Sequence, residues 1–260
     1  MDNRLAIDRG GVTPRWIYEN TSRSPELLSN QLNERLAAQF SARFLRQGFE
    51  PNTVTALGLL VHLVTAAVVL TLPLDSMLPA AVVVFLGWQL AYTLDCSDGQ
   101  VARSSGKQSP EGAVIDLLAD YLSHTIVLVI VWLKIVTLTG LAGDTVTAAA
   151  AALFALSGAG WFAALHNQAL AGPGARRAGV LQRLIGDTVF FRVAYQVRHL
   201  MDTSLIITAL AFAMALDGYA LLAVFLIASG LRFTFIVTRF LGLLLLRGGT
   251  SISSQADSIG

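Results

Sequence analysis

The sequence has few of the residues on which soluble or disulfide-linked domains depend. Only 13% of its 260 residues are charged, whereas 54% are hydrophobic and the mean hydropathy is +0.62, which excludes an ordinary soluble domain. The single cysteine, Cys96, excludes an intramolecular disulfide, and no Cys or His lies near it at zinc-ligand spacing. A net charge of +1 gives no general attraction to nucleic acid, so we expect no nucleic-acid partner.

The N-terminal 20 residues also lack a continuous apolar core. Charged residues occur throughout this segment, so we expect no cleavable signal peptide in it. The first long apolar segment is then expected to direct insertion into the membrane.

Long apolar segments follow one another through the rest of the chain. A helix needs roughly 20 apolar residues to cross the hydrocarbon core of a bilayer. Six segments come close to that length, at about 54–74, 78–95, 113–136, 144–166, 200–216 and 218–240. The fifth is short unless its helix starts near Arg198. The sequence therefore predicts an all-α, polytopic membrane protein with six transmembrane helices in a domain over 51–246.

Positive charge predicts the orientation of these spans. Seven arginines precede the first span, Arg103 and Lys107 follow the second, and five arginines lie between the fourth and fifth. The three opposite connections contain no Lys or Arg. By the positive-inside rule, both termini and the segment after the second span face the cytoplasm. We expect a multi-pass protein of the plasma (inner) membrane.

An amphipathic helix is predicted at about 24–48, within an N-terminal cytoplasmic segment over 1–50. Its large apolar residues recur at intervals of four, and they are Leu28, Leu32, Leu36, Phe40 and Phe44. This pattern is typical of a helix that lies in the membrane interface, and packing on a partner protein is the alternative. At the other end, the polar residues 247–260 predict a flexible tail.

Four aspartates interrupt the apolar pattern in the run DCSDGQVARSSGKQSPEGAVIDLLAD at 95–120. Asp95 and Asp98 are three residues apart and Asp116 and Asp120 are four apart, so each pair lies on one face of its own helix. Because the two helices are consecutive and antiparallel, the pairs can face each other. Four carboxylates at a membrane repel strongly, and an all-oxygen cluster suits Mg²⁺ or Mn²⁺. The run predicts a site for two divalent cations.

The residues between the aspartates are suited to a phosphate-containing ligand. Gly99 and Gly112 have no Cβ and allow close approach to the backbone. Ala102 has a small side chain and leaves space on the same helix face. Arg103 can neutralise a phosphate. A pair of metal ions neutralises charge on attacking and leaving oxygens, so phosphoryl transfer is the predicted chemistry.

These residues match a family signature without a gap. The positions Asp95, Asp98, Gly99, Ala102, Arg103, Gly112, Asp116 and Asp120 fit D-x2-D-G-x2-A-R-x8-G-x3-D-x3-D, the signature of the CDP-alcohol phosphotransferases (CDP-alcohol phosphatidyltransferases), which this chain resembles. The segment EPNTVTALG at 50–58 is similar to the family's Pro-Asn-x-x-Thr-x-x-Gly. The resemblance extends over roughly residues 24–240 and is loosest after 140.

The resemblance implies a role for each matched position. Asp95, Asp98 and Asp116 would ligate two cations, and Asp120 would share one of them and act as the general base for the acceptor hydroxyl. The CDP part of the donor would contact Asp95 and the residues Asn52, Thr55, Gly99, Ala102, Arg103 and Gly112. The alkoxide would attack the phosphorus remote from the cytidine, and CMP would leave.

Four further residues are candidates for contact with the acceptor or a lipid phosphate. His124 continues the 116, 120 series on its helix, and hydrogen-bonded packing is the alternative. Arg232 is predicted to lie roughly 20 Å along the sixth span, level with the aspartates, where an arginine usually faces the bundle interior. Contact with an anionic substrate group is one reading, and snorkelling or a structural partnership with Asp residues is the alternative. Arg192 and Arg198 would bind an acceptor phosphate or a headgroup, or serve as ordinary cytoplasmic anchors.

The predicted activity is transfer of a substituted phosphoryl group to an alcohol. The resemblance favours CDP-diacylglycerol as donor and a small polar alcohol as acceptor, with membrane lipids as further partners. The Ser-Pro-x-Gly at 109–112 is also similar to aminoalcohol phosphotransferases, which use CDP-choline or CDP-ethanolamine and a diacylglycerol acceptor. A divalent cation transporter is the alternative of another class. The small residues SGAGW at 157–161 suit a homodimer face or internal packing.

Overall fold

The computed structural model describes residues 12–24, 26–73, 76–141 and 202–231, and these ranges contain helices and no strand. In chain order the helices are α1 (Pro14–Thr21), α2 (Arg35–Gln47), α3 (Pro51–Thr71), α4 (Met77–Ser105), α5 (Pro110–Thr139), α6 (Thr203–Leu216) and α7 (Gly218–Leu231). A π-helical segment, Ser29–Glu34, leads directly into α2. The all-helical prediction is confirmed for this part of the chain.

Three described helices are long and apolar enough to cross a membrane. They are α3, α4 and α5, which correspond to the first three predicted spans. The shorter apolar helices α6 and α7 lie at the positions of the fifth and sixth. The predicted fourth span at 144–166, the end of the sixth and the tail at 247–260 fall outside the described residues. The count of six spans and their orientation stay predictions.

The two helices that carry the aspartates are longer than their apolar segments. Helix α4 continues ten residues past the predicted end at 95, to Ser105, and Gly106 ends it in the left-handed conformation at φ +68°. Helix α5 begins at Pro110, and the Ser109 hydroxyl caps it by accepting a hydrogen bond from the Gly112 N–H at 2.9 Å. All four aspartates therefore lie within helices, because hydropathy marks the bilayer core and not the end of a helix.

The predicted fifth span, at about 200–216, would have needed a helix start near Arg198 to reach full length. The helix begins at Thr203, because the Asp202 carboxylate caps it by accepting from the Ser204 N–H at 2.9 Å. The same carboxylate accepts from the N–H and the hydroxyl of Ser29 at 2.8 and 2.5 Å. This buried cap therefore joins α6 to the segment that precedes α2.

Helix α1 was not among the predicted elements. Pro14 is its first residue, and the Thr13 hydroxyl caps it by accepting a backbone N–H from its first turn. Its buried residue Ile17 packs against Ala38 and Ala42 of α2. The Thr-Pro pair is a helix-start signal that could have revealed α1.

Helix α2 packs on α4 through small and polar residues. Ala37, Ala38 and Ser41 are buried, and the Ser41 hydroxyl donates to the Ser97 carbonyl at 3.1 Å and to Gln100 Oε1 at 3.2 Å. The large apolar residues of the predicted stripe are half-buried or exposed, and they are Leu28, Leu32, Leu36, Phe40 and Phe44. A helix is thus present where predicted, and its place in the membrane interface stays a prediction.

Gln89 of α4 joins three elements inside the bundle. Its Nε2 donates to the Ser204 carbonyl of α6 at 2.9 Å, and its Oε1 accepts from the Ser204 hydroxyl at 3.0 Å. The Asn33 amide of the π-helical segment also donates to Gln89 Oε1 at 3.0 Å. Buried polar groups of a membrane bundle need such partners, so this junction fixes where α6 stands against α4.

The apolar core lies towards the other end of the bundle from the aspartates. Trp88 and Val84 of α4 are fully buried there against Met214 of α6 and Leu221 and Phe225 of α7. Residues of α5 complete the cluster, and they are Ile130, Val131 and Ile135. This core holds α4 to α7 together and leaves the other end of the bundle to polar groups.

We predict that Gly87→Ala destabilises the protein. A Cβ at Gly87 would lie 2.1 Å from Thr65 Oγ1 and 2.6 Å from its Cγ2, so α3 and α4 would have to separate. Overpacking of this kind typically costs about 1–3 kcal/mol. The measurement is the melting temperature of the detergent-solubilised protein.

Gly58→Ala is the matched control, since it adds a Cβ between the same two helices. That Cβ would lie at ordinary contact distance, 3.4 Å from the Ala91 carbonyl oxygen and 3.5 Å from Leu94 Cβ. We expect Gly58→Ala to leave the melting temperature unchanged or to raise it, because alanine favours helix over glycine. Equal melting temperatures for the two variants would contradict this account of the helix contact.

Candidate active site

The aspartates of α4 and α5 meet in the structure. Asp95, Asp98 and Asp116 each offer a carboxylate oxygen, and these oxygens all lie within 4.8 Å of one another. Asp98 is buried, Asp95 is half-buried and Asp116 is exposed, so the cluster reaches from the helix contact to the surface. Asp120 completes the group, because its side chain shares a hydrogen bond with that of Asp95. The antiparallel helices thus place both pairs face to face.

Helix α3 supplies a direct contact to this cluster. The Thr55 hydroxyl donates to Asp98 Oδ2 at 2.5 Å. Gly58, one turn further along α3, faces α4 in the same contact, and a Cβ there would lie at ordinary contact distance, 3.4 Å from the Ala91 carbonyl oxygen. The Pro-Asn-x-x-Thr-x-x-Gly segment therefore has a physical role, in which its threonine orients a carboxylate.

The side chain of Arg103 lies over Gly99. We predict that this end of the aspartate cluster faces the cytoplasm. The Nη1 of Arg103 is 2.7 Å from the place where a Cβ at Gly99 would be, so the guanidinium occupies the space beside the glycine. Its Nε is buried and has no hydrogen-bond partner among the described residues. An anionic oxygen would satisfy this group, which fits a phosphate-binding role. That Gly99 also leaves room for cytidine is still only predicted from the sequence.

The starts of α3 and α5 converge beside the cluster. A Cβ at Gly112 would lie 3.2 Å from Ser109 Oγ and 3.7 Å from Asn52 Oδ1. An exposed ion pair, with Lys107 Nζ and Glu50 Oε1 2.5 Å apart, joins the loop between α4 and α5 to the residue that precedes α3. Exposed ion pairs contribute little to the free energy of unfolding, so this contact mainly positions the loop between α4 and α5. The structure therefore brings Asn52 and Gly112 together, as a shared ligand would require.

A buried polar group that sequence reasoning missed lies behind the aspartates on α4. Gln100 donates from Nε2 to Glu34 Oε2 at 2.6 Å and accepts from the Ser41 hydroxyl at 3.2 Å. Glu34 Oε1 accepts from the backbone N–H groups of Arg23 and Ser24 at 3.0 and 2.9 Å. These contacts fix the rotation of α4, which keeps the opposite face, with Asp95 and Asp98, turned to α3 and α5.

A cavity of about 410 Å³ continues from Asp95 and Asp120 into the bundle. Near the aspartates its wall includes Thr55, Tyr92 and Ser123. Deeper in the bundle, the wall of the cavity is mainly apolar, and its residues include Leu59, Val127, Leu128, Ile207, Leu210 and Phe225. The cavity was not predicted, although the spacing of residues 55, 58, 59 and 62 on α3 is a signal that could have indicated this wall. Its two ends suit a ligand with a polar and an apolar part.

Of the predicted acceptor residues, the described part of the chain includes only His124. It lines the cavity, and its Nδ1 is 2.8 Å from the backbone carbonyl oxygen of Asp120. This contact is with the backbone of Asp120 and not with its carboxylate. Arg192, Arg198 and Arg232 lie outside the described residues.

The donor set of the cluster fits a hard divalent cation. All its ligand atoms are carboxylate oxygens, which suit Mg²⁺ or Mn²⁺, and three of them converge closely enough to share an ion. The buried Asp98 also accepts a hydrogen bond from Thr55, and carboxylates that ligate metals usually accept such a hydrogen bond. The cluster can therefore hold a metal ion.

The family of the chain follows from comparison with known proteins. The profile of the CDP-alcohol phosphatidyltransferase family matches residues 49–186, which is just over half of the chain and contains the whole aspartate cluster. The chain belongs to this family. It is therefore a transferase of the EC 2.7.8 group, in which a CDP-linked donor and an alcohol acceptor react. No curated protein matches the chain. The apolar helices agree with the membrane setting of phospholipid biosynthesis.

We predict that Thr55→Val weakens metal binding while the fold is retained. Valine keeps the shape of the side chain but removes the hydrogen bond to Asp98. Loss of such an outer contact typically lowers metal affinity about 10- to 100-fold. The measurement is the Kd for Mn²⁺ of the purified protein.

Thr65→Val is the matched control on the same helix, because the Thr65 hydroxyl donates only to the Val61 carbonyl of its own helix. We expect Mn²⁺ to bind this variant as it binds the wild type. A Kd for Mn²⁺ that is the same in both variants would show that Thr55 does not support the site.

Proposed function

We propose that the enzyme transfers a phosphatidyl group from CDP-diacylglycerol to a small polar alcohol and releases CMP. The observation that carries the proposal is the continuity of the carboxylate cluster with a cavity whose far wall is apolar. A donor with a nucleotide diphosphate head and acyl chains needs both environments next to each other. The acceptor is proposed only as a class, since the described wall contains no pattern specific to one alcohol.

Asp95, Asp98 and Asp116 are proposed to hold two divalent cations, Mg²⁺ or Mn²⁺, with Asp120 sharing one of them. The support is the convergence of their oxygens within 4.8 Å for the first three and the hydrogen bond between the side chains of Asp95 and Asp120. When bound, the cations would neutralise charge on the phosphoryl oxygens and on the attacking and leaving oxygens.

Asp120 is proposed as the general base. It belongs to the carboxylate cluster and also lines the cavity, so it lies where the donor phosphate and the acceptor hydroxyl would meet. Its carboxylate would take the hydroxyl proton, the resulting alkoxide would attack the phosphorus remote from the cytidine, and the bond from that phosphorus to the CMP oxygen would break.

The nucleotide is proposed to lie on the side of the cluster away from the cavity. The buried, unpartnered Nε of Arg103 would donate to a donor phosphate. The other proposed contacts come from α3, α4 and α5, and they are Asn52, Thr55, Asp95, Gly99, Ala102 and Gly112, of which Thr55 and Asp95 also line the cavity.

The acceptor contacts are proposed from position and spacing. His124 lines the cavity one turn from Asp120. Phe225, Ala228 and Ser229 of α7 line it too. Arg232, outside the described residues, is proposed from the sequence as a partner for an anionic substrate group. Arg192 and Arg198 are proposed to bind an acceptor phosphate or a lipid headgroup.

An aminoalcohol phosphotransferase is the second candidate function. The apolar wall of the cavity would equally receive a diacylglycerol acceptor, with CDP-choline or CDP-ethanolamine as donor. The cation-transporter alternative is set aside, because the chain belongs to a family of transferases. The homodimer, the plasma-membrane location, the cytoplasmic termini and the domain limits at 50 and 246 remain proposals.

The decisive assay measures CMP release by the purified enzyme with Mn²⁺. We expect CMP from CDP-diacylglycerol in the presence of at least one alcohol from a panel of small polar acceptors. CMP formed only from CDP-choline or CDP-ethanolamine with diacylglycerol would establish the second candidate. No CMP from any CDP-linked donor would exclude both.

We predict that Asp120→Asn abolishes turnover but retains part of the Mn²⁺ and CDP binding. The amide cannot take the hydroxyl proton, and loss of a general base typically lowers the rate about 10²- to 10⁴-fold. The measurements are CMP release and the Kd values for Mn²⁺ and CDP. Asp217→Asn, which changes the exposed cap of α7, is the control and should keep full activity. Full activity of Asp120→Asn would remove Asp120 as the base.

A further inference from the structure

His62 is a buried polar side chain in the cavity wall for which the mechanism above has no use. It lies on α3 and is 8% exposed. It follows Gly58 by one turn, and a Cβ at Gly58 would lie 3.7 Å from the Asp95 N. A rise of about 6 Å over four residues therefore places His62 one turn deeper in the bundle than the aspartates. His124 lines the same cavity from α5, one turn beyond Asp120.

The hydrogen bond that His62 makes determines which of its ring nitrogens carries the proton. Its Nδ1 is 3.3 Å from the Gly58 carbonyl oxygen. Since a carbonyl oxygen only accepts, Nδ1 must be the donor. A charged imidazolium would be costly to bury in this wall, so the ring is neutral and Nε2 carries a lone pair. On the facing wall, His124 Nδ1 is likewise 2.8 Å from a backbone carbonyl oxygen, that of Asp120.

The lone pair on His62 Nε2 limits the chemistry of the group it can bind. Among the described residues none donates a hydrogen bond to Nε2. Phosphate oxygens and ester carbonyls also accept only, so they would leave this nitrogen unsatisfied or face it unfavourably. A hydroxyl donates. Of the two substrates that the family joins, the alcohol acceptor is the one defined by a hydroxyl group.

We propose that His62 is a specificity-determining residue that accepts a hydrogen bond from a hydroxyl of the acceptor alcohol. This inference rests on the proposed function, because it places the acceptor on the cavity side of Asp120. Two kinds of acceptor could supply this hydroxyl. One is the second hydroxyl of a water-soluble polyol, whose first hydroxyl reacts at Asp120. The other is the single hydroxyl of diacylglycerol, which His62 would guide towards Asp120.

Two substitutions separate the hydrogen bond from the shape of the side chain. His62→Phe keeps an aromatic ring but removes both nitrogens. His62→Gln places an amide oxygen near the position of Nε2 and keeps an acceptor. Thr65→Val is the matched control, since Thr65 is buried on the same helix but does not line the cavity. Melting temperatures of all variants report their folding.

The readout is the KM of each substrate in the CMP-release assay. We expect His62→Phe to raise the acceptor KM roughly 3- to 10-fold, as for the loss of one hydrogen bond, and to leave the donor KM unchanged. His62→Gln should restore most of the acceptor affinity, and Thr65→Val should resemble the wild type. A rescue by glutamine would not occur if His62 only filled space.

Paired acceptors distinguish the two sources of the hydroxyl. If the acceptor is a polyol, the wild type should prefer it over the analogue lacking the second hydroxyl, and His62→Phe should lose that preference. If the acceptor is diacylglycerol, His62→Phe should lower its kcat/KM and leave the donor KM unchanged. A change confined to the KM of the CDP-linked donor would overturn the proposal.

A second measurement uses the wild-type protein and so does not depend on the folding of a variant. The chain has four histidines, and nitrogen NMR of ¹⁵N-histidine protein, assigned with His62→Gln, reports the lone-pair nitrogen of each. The His62 Nε2 resonance should shift when the acceptor binds and not when CDP binds. CMP release with no such shift and with equal acceptor KM in His62→Phe and the wild type would overturn this inference alone. No CMP from the wild type would overturn the proposed function and this inference with it.

Discussion

Mutual repulsion of four carboxyl groups is the constraint on which the rest of this structure depends. Asp95, Asp98, Asp116 and Asp120 meet between two helices of an apolar bundle, where bare negative charge is expensive. Cations and hydrogen-bond donors can compensate a cluster of this kind. Thr55 supplies one donor directly. The convergence of oxygen ligands suits the cluster to hold a cation, which agrees with a family of transferases that use a CDP-linked donor.

Helix α4 meets the constraint by having two polar faces. One face carries Asp95 and Asp98 towards α3 and α5, while the other holds Gln100 against Glu34 and Ser41. Buried hydrogen bonds of this kind fix the rotation of a helix, because turning it would leave several polar groups unsatisfied. The N-terminal segment therefore supports the site through α4, and its Glu26 also lines the cavity. Further along α4, Gln89 fixes α6, which forms a wall of the cavity.

Sequence reasoning succeeded where a short pattern carries the information. The signature at 95–120 led to the family and to the group of residues that the structure brings together, and hydropathy located α3, α4 and α5. It was less successful at helix ends. The continuation of α4 to Ser105 and the start of α6 at Thr203 depend on capping by Gly106 and Asp202, whose effect hydropathy does not register. Helix α1 was missed for the same reason.

By itself, the sequence determined the helical class, the membrane setting, the family and the identity of the acids, because periodicity, hydropathy and motif spacing act within one helix or between consecutive helices. Only the tertiary structure decided the cavity, the support behind α4 and the place of His62. These depend on contacts between residues far apart in the chain, such as Ser29 with Asp202 and Thr55 with Asp98. Local patterns do not encode which side chains will meet across a bundle, since that is decided by how whole helices pack.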